Sequence, residues 1–257
     1  MATRRPPPHP DKPPPDRAPC FAPNVILRRI VQATDQLIAT AAALGDDDMR
    51  ADSLLPGWTR GHVLTHLARN ADGGTRLLTW ARTGRPAQEY PSLAARATQI
   101  EAGADRGAAD LVADVRTAAE RFVAEYRRMP TSAWRRTVRW TAGQERPAAR
   151  IADARLCEVL VHHVDLRAGF TPDDWPAEFV LREIGLVVAA FRGRADAPAV
   201  RLYAEDAGAW YDIASGAETV VVRGPRAALL AWLMGRSAGE SVTAEGRMGL
   251  PVVPFLY

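Results

Sequence analysis

Four side chains able to ligate a metal stand in two pairs of identical spacing, His62 with His66 and Glu158 with His162. On a helix, residues four apart project from one face. At about 100° per residue, His66 shares a stripe with Val63, Asn70 and Leu77. Glu158 and His162 share theirs with Ile151 and Asp165, flanked by Val161. Both stripes are partly apolar, so both are expected to turn inward. Two imidazoles and a carboxylate meeting between two helices make a His₂Glu set, which several catalytic zinc centres use with a fourth position open to water or substrate. On the residues alone the bland readings stay open. Such pairs are common on solvated helix faces, and His62 equally suits a loop cap. His163 points about a quarter turn away from His162 and reads as a partner for backbone or solvent. Cys157 reads as a small buried hydrophobe rather than a nucleophile. Trp58, Trp80, Trp134, Trp140 and Trp175 read as wedges between helices, some of them at a pocket mouth.

The elements that must position these groups follow from hydrophobic period and chain punctuation. Val25, Ile26, Ile30, Val31, Leu37 and Ile38 recur at helical steps from Asn24 to near Gly45. After Pro56-Gly57, Thr59 caps a second helix over Arg60–Ala81, closed by Thr83-Gly84-Arg85-Pro86. A third helical region spans Ser92–Arg128, interrupted near Gly103–Gly107, and a short extended connector over Trp134–Thr141 leads to a fourth helix at Ala148–Leu166. Four long helices over residues 24–170 are what an antiparallel four-helix bundle requires, and such bundles build metal sites on their inward faces. Residues 171–176 read as a linker. A helix over Ala177–Phe191 follows, then short strands at Val200–Tyr203, Trp210–Ile213 and Thr219–Arg223, a helix over Pro225–Met234 and a strand near Val242–Ala244. The expected fold class is therefore a helical bundle followed by a smaller α+β domain over 171–257. Residues 1–23 are expected to be a disordered proline-rich extension, since eight prolines fall within the first nineteen positions.

Composition narrows the function classes. Hydrophobic residues make up 47% and charged residues 25% of the 257-residue chain, the balance of a soluble globular protein. The net charge of +3 is carried mostly by the proline-rich extension, and no run of basic residues interleaved with aromatics tracks a phosphate backbone, so nucleic acid is not the expected partner. The longest apolar stretch, Ile184–Phe191, is far short of the roughly 20 residues a membrane span needs. Cys20 and Cys157 make no disulfide framework, and the N-terminus lacks the apolar core of a secretory leader. A cytoplasmic, reducing compartment is the expectation.

The run Leu55-Pro-Gly-Trp-Thr-Arg-Gly-His-Val-Leu-Thr-His-Leu-Ala-Arg-Asn-Ala-Asp72 resembles the signature helix of mycothiol-dependent maleylpyruvate isomerases, within the DinB-like metal-binding superfamily. Arg155-Leu-Cys-Glu-Val-Leu-Val-His-His-Val-Asp-Leu166 resembles the second signature of that family. Trp232-Leu-Met-Gly-Arg236 and Leu250-Pro-Val-Val-Pro-Phe-Leu256 are similar to its C-terminal domain, so the resemblance spans about residues 24–257. It implies a DinB-like bundle whose metal ligands are His66, Glu158 and His162, with zinc as the metal and mycothiol as the thiol cofactor. His62 then falls to a supporting or structural role. Arg236 matches a C-terminal arginine on which activity depends, and it is expected to pair with a substrate carboxylate or enolate oxygen in a cleft between the domains. The implied reaction converts maleylpyruvate to fumarylpyruvate by thiolate addition, bond rotation and elimination. The implied partners are a small-molecule substrate and a low-molecular-weight thiol, with no nucleic acid and no membrane, and a monomer is expected. Two alternatives remain. One is a mycothiol S-transferase or related thiol-dependent enzyme acting on another electrophile. The other is a non-catalytic metal-binding regulator, whose site a fourth protein ligand such as His62 would close.

Overall fold

Helix α3 (Arg60–Thr83) starts and stops where the chemistry of its ends dictates. Thr59 is extended, and its hydroxyl accepts the amide of His62 at 3.4 Å. At the other end Gly84 takes φ 76°, a left-handed conformation that a side chain would strain, and donates its amide to the Trp80 carbonyl at 2.8 Å. The computed structural model describes residues 21–214, 219–246 and 249–254. Residues 1–20 of the expected extension, Cys20 among them, lie outside the described residues, as do the last residues of the C-terminal motif. The end of that extension is instead ordered, with the Phe21 ring packed on Trp134 and the Pro23 carbonyl accepting the Tyr126 hydroxyl at 3.0 Å.

Before α3 come α1 (Pro23–Ala42) and the short α2 (Asp46–Arg50), and after it α4 (Leu93–Gly103) and α5 (Ala108–Arg127). The interrupted third helical region of the sequence is thus two helices, and the Asp46 carboxylate of α2 accepts the Ala108 amide at the start of α5 at 2.7 Å. A 3₁₀ turn at Thr131–Arg135 leads into a hairpin of β1 (Thr137–Arg139) and β2 (Glu145–Pro147), where the sequence suggested only a connector. Helix α6 (Ala149–Asp165) completes the bundle. Its four long helices form a ring, with α3 against α5 and α6, and α1 against the same two. The core between them takes Ile30, Leu37, Leu64, Leu67, Leu111, Phe122 and Leu160, all fully or almost fully buried. Removing this apolar surface from water is what holds the four helices together.

Helix α7 (Ala177–Arg192) then leads to a sheet of order β4-β3-β5-β6, built from β3 (Val200–Ala204), β4 (Ala209–Asp212), β5 (Val220–Gly224) and β6 (Thr243–Ala244). Strand β3 runs parallel to β5 and antiparallel to β4. Val200, Leu202, Ala204 and Val222 face inward, towards α7 and α8 (Arg226–Leu233). On the opposite face Arg201, Tyr203, Trp210 and Arg223 stack on one another. The fold is therefore mostly helical with a small sheet-containing C-terminal part. None of the helices formed by described residues is long and apolar enough to cross a membrane.

Glycine at position 61 sets how closely α4 approaches α3. A Cβ there would stand 2.0 Å from the backbone carbonyl oxygen of Ala104, an atom that cannot rotate aside. Gly61→Ala is expected to destabilise the protein by about 2 kcal/mol or more. In a thermal melt this is a fall of several degrees, at roughly 2–4 °C per kcal/mol for a chain of this size. An unchanged melting temperature would show that the α3–α4 junction is not held by close packing.

Candidate metal centre

His66 lies in the buried stretch of α3 and Glu158 and His162 lie one turn apart on α6, the two helices being direct neighbours. One ligand atom from each of the three falls within 4.8 Å of the others. Glu158 Oε2 is 2.8 Å from His66 Nε2 and 3.2 Å from His162 Nε2, and the two imidazoles meet edge to face at 4.7 Å between centroids. His66 and His162 are enclosed, whereas the Glu158 side chain is 31% exposed, so the cluster opens on the side of the carboxylate.

The protonation of the cluster follows from burial and contact. Burial drives His66 down to about 4 despite the adjacent Glu158, so this ring is a neutral ligand at ordinary pH. Burial also opposes charge on Glu158, but electrostatic attraction to the His66 ring and hydrogen bonds from both imidazoles hold its carboxyl well below the usual range. For His162, burial is outweighed by hydrogen bonds to Asp165 and Glu158, which raise it.

Behind His162 lies a second carboxylate. His162 Nδ1 donates to Asp165 Oδ2 at 2.7 Å, which fixes the ring and directs Nε2 towards Glu158. A carboxylate on the far nitrogen of a ligand histidine is the usual support of a metal-bound imidazole, so the donor set fits a divalent cation of the zinc type. Asp165 is fully buried, and burial alone would raise its pKa. The hydrogen bond from His162 and the charges of His162 and Arg236 lower it instead.

Arg236 closes this chain of contacts. Gly235 takes φ 68° after α8, the Arg236 amide donates to the Ala231 carbonyl and the Gly235 amide to that of Trp232, a paired helix stop that fixes the backbone of Arg236. Its side chain, 3% exposed, donates from Nε and Nη2 to the two oxygens of Asp165 at 3.1 and 3.0 Å and from Nη1 to the Met234 carbonyl. The fork expected to face substrate is directed at Asp165, and it reaches the cluster through His162.

The other histidines are placed elsewhere. His62 sits in the third position of α3, where its Nδ1 accepts the Thr59 amide at 3.2 Å, and its Nε2 faces Glu101 at 3.2 Å, so it caps the helix and stays outside the cluster. His163 is buried, not solvated. Its Nε2 meets the Thr40 hydroxyl at 2.8 Å and its ring stacks on Phe170. Cys157 donates to Glu183 at 3.6 Å, and burial pushes its thiol pKa up, which keeps it from acting as a thiolate. Trp58 lines the cluster, its ring 5.6 Å from that of His66. The role of Asp165 was legible only as membership of the Glu158–His162 stripe, three residues after His162.

Residues 30–167 match the family model for the mycothiol maleylpyruvate isomerase N-terminal domain, and residues 174–252 match that for the MDMPI C-terminal domain. The chain belongs to the mycothiol maleylpyruvate isomerase family. Solved structures agree. A mycothiol-dependent maleylpyruvate isomerase is 26% identical, with a TM-score of 0.87 over 91% of this chain and 97% of that one. A histidine-to-alanine mutant of that isomerase matches with the same identity, coverage and TM-score. No curated protein sequence matches.

The capping role of His62 separates it from its neighbour four residues on. His62→Ala is expected to lower stability by about 1 kcal/mol, the usual effect of losing a cap, with metal content per chain unchanged by elemental analysis. A loss of metal in this variant would place His62 among the ligands.

Proposed function

We propose that this chain isomerises maleylpyruvate to fumarylpyruvate with mycothiol as the thiol, on a metal held by His66, Glu158 and His162. The observation that carries the reading is the convergence of these three donors, with His162 held by Asp165, in a chain of the mycothiol maleylpyruvate isomerase family. A divalent ion there, zinc by its donor set, supplies the Lewis acidity that keeps a thiol ionised at neutral pH. The reaction itself needs no net redox change. Addition forms one carbon–sulfur bond and moves an electron pair onto the conjugated carbonyl oxygen, the former double bond turns, and reversal expels the thiolate.

The protein's own groups have defined tasks in this scheme. Buried neutral His66 offers a lone pair without first losing a proton. Glu158 supplies the one negative charge among the three donors and lies on the open side, where co-substrates enter. Trp58 and the walls of α3 limit water around the cluster. Cys157 is not the nucleophile, so a soluble thiol is required. The part of the chain from 171 onward contributes Arg236, whose task is to hold Asp165 and through it His162.

Elemental analysis is expected to give about one divalent ion per chain, with loss in His66→Ala, Glu158→Gln and His162→Ala. Full retention in all three would overturn the ligand set. Purified protein with mycothiol is expected to change the spectrum of maleylpyruvate to that of the trans isomer, with no change when thiol is withheld. No spectral change with metal and thiol both present would overturn the isomerase reading and favour another electrophile.

Asp165→Asn is expected to weaken metal affinity ~10–100-fold, the usual effect of removing a carboxylate behind a ligand histidine. Arg236→Ala is expected to act in the same direction and to cut kcat/KM by ~10² or more, about 2.7 kcal/mol of transition-state stabilisation. Arg236→Lys should restore little, because an ammonium cannot span both oxygens of Asp165. Metal affinity and kcat/KM equal to wild type in both Asp165→Asn and Arg236→Ala would remove this chain of contacts from function.

A further inference from the structure

Several arginines of the bundle are matched to carboxylates. Arg69 and Arg106 reach Asp114, Arg82 reaches Glu125, Arg121 reaches Asp72 and Arg150 reaches Asp153. Arg96, on α4, is different. Its Nη2 lies 3.0 Å from Nδ1 of His66, it stands over the Tyr90 ring at 5.8 Å, and among the described residues no Asp or Glu forms an ion pair with it. A guanidinium beside a metal-ligand cluster, matched to no carboxylate, is the arrangement that receives an anion.

Two further buried donors of the same region lack an acceptor. Tyr90 is buried, and with Arg96 acting on its oxygen as a donor its hydroxyl proton has no acceptor. Arg155, one turn before Glu158 on α6, is buried with Nη1 bound to the Leu67 carbonyl and Asn70 at 2.9 Å each, while Nη2 has no partner. Arg96 and Glu158 both act electrostatically on Tyr90, and Tyr90 and Glu158 both act on Arg155, so these groups share one neighbourhood. Buried polar atoms left unpaired are rare and costly, and a ligand is one source of the missing partner.

The contact with His66 does not satisfy Arg96 once that ring serves as a ligand. Arginine has only donors, so its approach to Nδ1 requires an unprotonated nitrogen and puts the ring proton on Nε2. If Nε2 of His66 were to hold a cation, the ring proton would lie on Nδ1, and two donors would face each other. The guanidinium then needs another acceptor.

We propose that Arg96, supported by the Tyr90 hydroxyl and Arg155 Nη2, is the carboxylate-binding residue beside the His66–Glu158–His162 cluster. Which carboxylate it takes rests on the isomerase reading, under which it is one of the acid groups of the substrate. That it takes a carboxylate does not. Arg96 thereby sets the preference for anionic over neutral electrophiles.

The test is calorimetric titration of maleate, a thiol-free cis-dicarboxylate that is not turned over, into metal-loaded wild type, Arg96→Gln, Arg96→Lys and Tyr90→Phe. Metal content and melting temperature are recorded for each. Wild type is expected to bind maleate, Arg96→Gln to weaken the Kd at least 10-fold with metal content unchanged, and Arg96→Lys to recover part of the loss. Tyr90→Phe, which removes one oxygen and leaves the ring, is expected to weaken binding about threefold and keeps the test decisive should Arg96→Gln fold poorly. With maleylpyruvate, KM is expected to rise at least 10-fold in Arg96→Gln with kcat changed less than threefold. An unchanged maleate Kd in Arg96→Gln, or in Tyr90→Phe if the former does not fold, overturns the proposal. So does a loss of metal in Arg96→Gln, which would make Arg96 a support for His66. A protein that isomerises nothing yet loses maleate binding on Arg96→Gln sinks the isomerase reading and leaves the assignment of Arg96 standing.

Discussion

The whole site leans on the burial of one carboxylate. Asp165 has no exposed surface, and an isolated charge in that position would be prohibitively unfavourable. Its burial is tolerated because Arg236 offers two parallel donors and His162 a third, so both oxygens are satisfied by charged groups. Such an arrangement adds little net stability compared with well-packed apolar residues, but removing one partner leaves a buried charge uncompensated, at about 3–5 kcal/mol. Its value lies in geometry. The ring of His162 cannot turn without breaking the contact, and the residue after α8 cannot leave without exposing Asp165.

That constraint explains why the C-terminal part of the chain belongs to the site although none of the three cluster donors comes from it. The sheet and α7 pack α8 in place, the paired stop at Gly235 fixes the backbone of Arg236, and the guanidinium carries that rigidity across to the end of α6. Arg60, at the first position of α3, ties the same end of α6 from the other side by donating to the Leu166 and Arg167 carbonyls. The two helices that supply the donors are thus held at the level of the cluster by directional contacts in addition to their apolar packing.

On its other side the cluster is built against the rules of a stable core. Arg155 is buried without a carboxylate, and burial pulls even its pKa down to about 10. Tyr90 holds a hydroxyl proton without an acceptor, and burial pushes it up to about 12. Several other arginines of the bundle are matched to acids, and the core between the four helices is largely apolar. Departures of this kind are tolerated where a ligand completes the set, as the assignment of Arg96 requires.

The sequence by itself determined everything that depends on neighbours within one helix. Thr59 and Gly84 set the ends of α3, the four-residue spacing placed Glu158 and His162 on one face, and the apolar period turned that face inward. These are local effects, decided by φ and ψ, caps and the 3.6-residue turn. The tertiary structure decided what the helices bring to one another. His62 and His66 are equivalent in type and helix, and only the approach of α6 made one a cluster member while the position of Thr59 made the other a cap. Asp165 and Arg236 are 71 residues apart, and Arg96 and His66 are 30 apart, in elements whose own periodicity says nothing of each other. Contacts at such separations depend on crossing geometry and on which buried charge finds an opposite, which a one-dimensional pattern does not encode.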